Sequence, residues 1–139
     1  MDLELEGKRV LITGSSRGIG YSMAKAFINE GARVVILDWE NKRLSLSASQ
    51  LEKIHGKDRI LAFSIDCADA SAWEIVIAQI NTAWKGLDVV IANIGDGRGP
   101  QVALPDANRF AAAWRSNFTT SEVTVRATLP MLETSGGCL

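Results

Sequence analysis

Eight residues, Thr13-Gly14-Ser15-Ser16-Arg17-Gly18-Ile19-Gly20, spell T-G-x-x-x-G-x-G and carry the most specific chemistry in the chain. Glycine has no Cβ, so such a turn tightens and lets a ligand's phosphates come close to the backbone. A helix starting inside it adds unpaired N–H groups and the positive end of a helix dipole. A dinucleotide diphosphate suits that spot, and a tight turn without ligand is the plainer alternative. Asp38 stands 18 residues after Gly20, where a carboxylate accepts hydrogen bonds from adenosine ribose hydroxyls. This predicts NAD in preference to NADP, because a 2′-phosphate would meet like charge at Asp38. Arg17 can offset that repulsion by pairing with the phosphate. Trp39 is either a stacking partner near the adenine or an exposed, core-edge tryptophan.

These residues do this chemistry only if strands and helices set them in place. Val10 to Ile12 reads as a buried strand entering the glycine turn, and Ile19, Met23, Ala26 and Phe27 recur at helical spacing up to Asn29. Arg33 to Asp38 is a second strand. Leu44, Ala48, Leu51 and Ile54 share a helical face that Gly56 ends, with His55 as a helix C-terminal residue and not a ligand. Ile60 to Ile65 is a third strand. Ser71 and Glu74 have the spacing of a capping box ahead of Trp73, Val76, Ile77, Ile80 and Trp84. Leu87 to Ala92 is a fourth strand, Gly95 to Pro105 a loop, and Phe110, Trp114, Phe118, Val125, Leu129 and Leu132 mark a long helix containing Pro130. Strands alternating with helices predict an α/β fold of Rossmann type, a doubly wound parallel sheet in the order 3-2-1-4.

Composition narrows the class. The 139 residues suit a single domain, residues 1–139, and 47% hydrophobic with 22% charged residues gives it a core. A net charge of −1 with both signs interspersed argues against a nucleic-acid surface. Cys67 and Cys138 form neither a disulfide framework nor a C-x-x-C site, no metal-ligand spacing occurs, and no apolar run suits a membrane span. A soluble, cytoplasmic protein is expected.

The pattern as a whole resembles the short-chain dehydrogenase/reductase family, classical type, across the entire chain. The residues that carry the resemblance are L-E-G-K-R-V-L-I-T-G from Leu5 to Gly14, the glycine turn, Asp38, Asp66 and Asn93-Ile94-Gly95. The resemblance implies that Asp66 and Cys67 contact the adenine through side chain and backbone, and that Asn93 and Gly95 border the cofactor and stabilise the sheet. Ala92 departs from it, standing where the family's N-N-A-G has its first Asn. Asn117 matches the asparagine of the family's Asn-Ser-Tyr-Lys set, where it helps hold a water linked to the lysine. The cofactor-binding set so predicted is Gly14, Ser16, Arg17, Gly18, Ile19, Gly20, Asp38, Trp39, Asp66, Cys67, Asn93 and Gly95.

The family's serine, tyrosine and lysine follow strand five, and Leu139 falls where that strand would begin. Tyr21 and Lys25 have the Y-x-x-x-K spacing but sit beside the diphosphate turn, so they read as a decoy. The expectation is the cofactor-binding portion of a longer NAD(P)-dependent oxidoreductase acting on an alcohol or carbonyl substrate, a homo-oligomer when complete. A non-catalytic dinucleotide-binding module is the alternative. Arg98 is a candidate contact for an anionic substrate.

Overall fold

The computed structural model of the protein describes residues 3–97 and 102–139, so Arg98 lies outside the described residues. Runs rich in Val, Ile and Leu form four strands, β1 (Arg9–Thr13), β2 (Arg33–Asp38), β3 (Ile60–Ser64) and β4 (Val89–Ile91). All pair in parallel in the order β3-β2-β1-β4, as the sequence predicts, and Leu11 stands opposite both Val35 and Val90. Between them run α1 (Gly18–Asn29), α2 (Asn41–His55) and α3 (Ala70–Trp84). After β4 come α4 (Ala107–Trp114), a π-helical turn over Arg115–Thr119, and α5 (Thr120–Ser135), with helical backbone through both junctions.

Strand alternation builds two cores. Val10, Ile12, Val34 and Ile36 face Ala24, Ile28, Leu44 and Leu51 of α1 and α2. Leu11, Val35, Leu37 and Val90 face Trp73, Val76, Ile80 and Trp84 of α3 and Leu132 of α5. Each fully buried branched side chain contributes about 1.5–3 kcal/mol of transfer free energy, so both sheet faces are firmly covered. This holds the carboxyl ends of the strands, where the candidate residues sit, on a rigid base.

The helix faces differ in phase from the sequence reading. On α1 the buried positions are Gly20, Ala24 and Ile28, while Ile19 is 76% exposed at the carboxyl edge of the sheet. On α2 Ser47 replaces Ile54 in the buried face, and Ile54 is exposed. The long helix turns Thr120, Thr124, Thr128 and Leu132 inward, and Phe110, Trp114, Phe118 and Leu129 outward. Those threonines can be buried because each hydroxyl donates to the carbonyl four residues back, leaving no polar atom unpaired. Asp69, not Ser71, caps α3, its carboxylate accepting from Ser71 N at 3.0 Å and Ser71 Oγ at 2.7 Å. Beyond the end of β4, Asn93 N donates to the side-chain Oγ1 of Thr13 at 2.9 Å instead of to a backbone carbonyl of β1. Past the left-handed Gly136, Cys138 makes one parallel bridge to Val89 on the edge of β4 away from β1.

Candidate functional site

A cleft of about 490 Å³ opens at the carboxyl ends of β1, β2 and β4, the position where open parallel sheets bind ligands. Of the residues predicted from sequence, Gly14, Arg17, Gly18, Ile19, Gly20, Asp38, Trp39, Asn93 and Gly95 line it. Arg43 and Ile94 line it as well and were not read from the sequence. A groove of similar size between α3 and α5 has Trp73, Ile77, Val123 and Ala127 along its walls, and none of the residues singled out from sequence as cofactor-binding lines it.

The glycine turn is held from three sides. Gly14 has φ +62, which a side chain would strain. A Cβ on Gly20 would collide with the Gly14 carbonyl oxygen and lie 2.7 Å from Asn93 Nδ2, so this position needs glycine for the close approach of α1 to the turn. Asn93 Nδ2 donates to Thr13 O at 3.1 Å and Gly14 O at 3.2 Å, tying the end of β4 to the turn without help from position 92. Ser15 fixes the other side, its Oγ donating to Ile12 O at 2.6 Å and accepting from Leu37 N at 3.0 Å.

Helix capping separates α1 from its neighbours. Glu40, Asp69 and Asp106 cap α2, α3 and α4 with carboxylate oxygens. Arg17, the residue before α1, makes no side-chain capping bond, and no acidic residue lies in the first turn. The first amides of α1 thus face the cleft with their donors unclaimed by side chains, which fits a bound diphosphate.

At the end of β2, Asp38 is 7% exposed, and its Oδ2 accepts from Ser16 Oγ at 2.5 Å while Oδ1 accepts from Glu40 N at 3.2 Å. A carboxylate oxygen accepts about two hydrogen bonds, so each retains capacity for a ribose hydroxyl. Ser16 itself is buried and acts on Asp38 rather than on the cleft. Trp39 is 76% exposed on the rim of the cleft. Arg17 and Arg43 bring two guanidinium groups to the same wall, Arg43 paired with Glu40 at 3.4 Å. Arg43 is the third residue of α2, five positions past Asp38, and its place at the cleft is visible only once α2 is known to start at Asn41.

Asp66, Cys67 and Asn117 lie outside the lining of this cleft. Asp66 leaves β3 at the same carboxyl edge and is bound in fork fashion by Arg115, with Nη2 to Oδ2 at 2.8 Å and Nη1 to Oδ1 at 3.3 Å. That guanidinium, foremost, holds the Asp66 carboxyl below its ordinary range. Cys67 is buried, and its carbonyl accepts from Trp73 Nε1 at 3.0 Å. Burial first, then the charges of Asp66 and Asp38, pushes its thiol up to about 12. Asn117 is exposed within the π-helical turn, where its Oδ1 accepts from Asp96 N at 2.9 Å and its Nδ2 donates to Asp96 O at 3.1 Å and Ala113 O at 2.9 Å. Its amide thereby clamps the loop that follows Gly95. Among the described residues no cluster of metal-ligating side chains occurs, and no helix is long and apolar enough to cross a membrane.

Known proteins share this arrangement. The profile of the family described as short chain dehydrogenase matches residues 8–138. A sorbose reductase of Schizosaccharomyces pombe is 41% identical over 108 residues, covering 75% of this chain and 40% of the relative. The crystal structure of L-sorbose reductase from Gluconobacter frateurii, complexed with NADPH and L-sorbose, superposes with a TM-score of 0.89 at 28% identity, over 99% of this chain and 52% of that one. A 3-ketoacyl-(acyl-carrier-protein) reductase from Brucella melitensis, complexed with NADH, superposes with a TM-score of 0.84 at 28% identity, over 95% of this chain and 53% of that one. The chain spans about half the length of these proteins or less.

Proposed function

The chain belongs to the short chain dehydrogenase family, and from that premise we propose that it is the dinucleotide-binding part of an NAD(P)-dependent oxidoreductase acting on an alcohol or carbonyl substrate. The observation that carries this reading is the uncapped N-terminus of α1, set between Gly14 and Gly20 at the mouth of the cleft while carboxylates cap α2, α3 and α4. When bound, the dinucleotide supplies the hydride carrier. The chain's residues orient it: α1 amides hold the diphosphate, Asp38 takes the ribose hydroxyls, Trp39 flanks the adenine, and Asn93 and Gly95 border the nicotinamide side. Asn117 is a positioning residue that fixes the Gly95–Asp96 loop through its paired bonds to Asp96. This reading leaves Tyr21 outside the acid/base role, which is supported by its hydroxyl donating to Gln50 Oε1 on α2 at 3.0 Å. Association of the complete protein into a homo-oligomer and a cytoplasmic setting belong to the same reading. Relatives named for sorbitol and sorbose make a polyol and its ketose the first substrate pair to assay.

NAD is the preferred cofactor in this reading. Isothermal titration of the purified protein should give tighter binding for NAD than for NADP, and Asp38→Ala should narrow the gap by about 1–3 kcal/mol through lost hydrogen bonds and relieved repulsion. Equal or NADP-favouring affinity in the unmutated protein would assign the 2′ position to Arg17 and Arg43 instead. Failure to bind either dinucleotide overturns the functional reading itself.

A further inference from the structure

We propose that Arg115 is a positioning residue for nucleotide recognition, holding Asp66 at the base end of the bound dinucleotide and tying that end to the π-helical turn that carries Asn117. The inference rests on the dinucleotide reading above. Strand order says where the base must go. A diphosphate at the start of α1 lies over β1, and a ribose at Asp38 lies over β2. Continuing in the same direction, the base arrives about 4.8 Å further on, over β3, where the chain leaves through Ser64, Ile65 and Asp66.

The geometry at Asp66 leaves room for one more donor. Oδ1 accepts from Ala68 N at 2.9 Å and from Arg115 Nη1 at 3.3 Å, and Oδ2 accepts from Arg115 Nη2 at 2.8 Å. Oδ2 keeps a lone pair for an exocyclic amino group such as that of adenine. A guanidinium fork fixes the plane of a carboxylate as well as its charge, which a lysine at that position would not do. About half of each side chain is exposed, 54% for Arg115 and 50% for Asp66, so the pair adds little to stability. Its consequence is geometric. Arg115 opens the π-helical turn, and two residues on, Asn117 grips both the N–H and the carbonyl of Asp96. One short stretch of backbone therefore joins the rim beside β3 to the loop beside Gly95, across the width of the site. Such π turns are rare and occur frequently at functional sites.

A double-substitution cycle read by isothermal titration of ADP-ribose, the dinucleotide without its nicotinamide, tests the proposal. Arg115→Gln and Asp66→Asn should each weaken binding about tenfold, and the doubly substituted protein should be weakened about tenfold as well instead of a hundredfold, since both changes remove one device. Arg115→Lys, which keeps the charge and loses the fork, should fall between Arg115→Gln and the parent, and it also serves if the Gln variant does not fold. An Arg115→Gln protein that binds within twofold of the parent overturns the proposal, and so do losses that multiply in the double variant. A parent protein that does not bind ADP-ribose overturns the dinucleotide reading instead, so the two failures are distinguishable.

Discussion

Cys67 sits three residues beyond Ser64, the last residue of β3, with 2% of its surface exposed and its carbonyl held by Trp73 Nε1. A thiol pushed up to about 12, chiefly by burial, has almost no thiolate near neutrality, and the thiolate is the reactive form. Cys138 is exposed. Thiol titration of the native protein at pH 8 should therefore count one fast group, Cys138, with Cys67 reacting only after denaturant is added. Two fast thiols would mean that the turn after β3 opens readily, and with it the rim occupied by Asp66. At this scale the sequence was most legible where residues act close to their neighbours in the chain: Gly14, Arg17, Gly18, Ile19 and Gly20 of the turn line the cleft together with Asp38. Arg115 was not legible, because its partner Asp66 is 49 positions away and only the packing of α5 against α3 brings the two together.

Between elements, the strongest polar tie is the one that joins the starts of β1 and β4. Arg9 Nε and Nη2 donate to the two oxygens of Asp88 at 2.8 Å each, Arg9 N adds a third bond at 2.9 Å, and Nη1 reaches Trp84 O at 3.1 Å. The Arg9 guanidinium, as the leading cause, holds the Asp88 carboxyl below its ordinary range. A carboxyl with a depressed folded-state pKa contributes stability that is present above its unfolded value and lost as pH falls through the folded value. Asp88→Asn should cost about 1.5–3 kcal/mol in urea unfolding at pH 7, and the gap from the parent should shrink as pH drops below about 4. A gap that stays constant with pH would show that the tie acts through shape alone. The strands and their order were legible because β-branched runs bounded by glycine leave few readings. The helix faces were less so, since periodicity marks apolar residues without saying what covers them. Ile19 is apolar because it lines the cleft, and the inward face of α5 is made of threonines whose hydroxyls bond their own helix.

For the whole molecule, an aromatic stripe lies uncovered outside the two cores. Phe110, Trp114 and Phe118 stand one helical turn apart on the outer face of α4 and the π turn, each more than half exposed. Their rings contact in series, with centroids 6.3 Å apart for the first pair and 4.6 Å for the second. The sequence revealed this stripe without saying what covers it, since nothing in the spacing distinguishes a face against the sheet from a face toward another surface. Contiguous exposed aromatics of this kind mark association sites, and aromatic anchors near the centre of an interface account for most of its affinity. Light scattering after size exclusion should therefore give a mass above that of one chain. Trp114→Ser should shift the population toward the monomer, with a dissociation constant raised about tenfold or more, because the middle ring contacts both neighbours. Dinucleotide affinity should not change with it, as the indole lies outside the cleft lining. A monodisperse monomer in the unmutated protein would refute the association, and the aromatic ladder would then stand as an exposed patch that the fold tolerates.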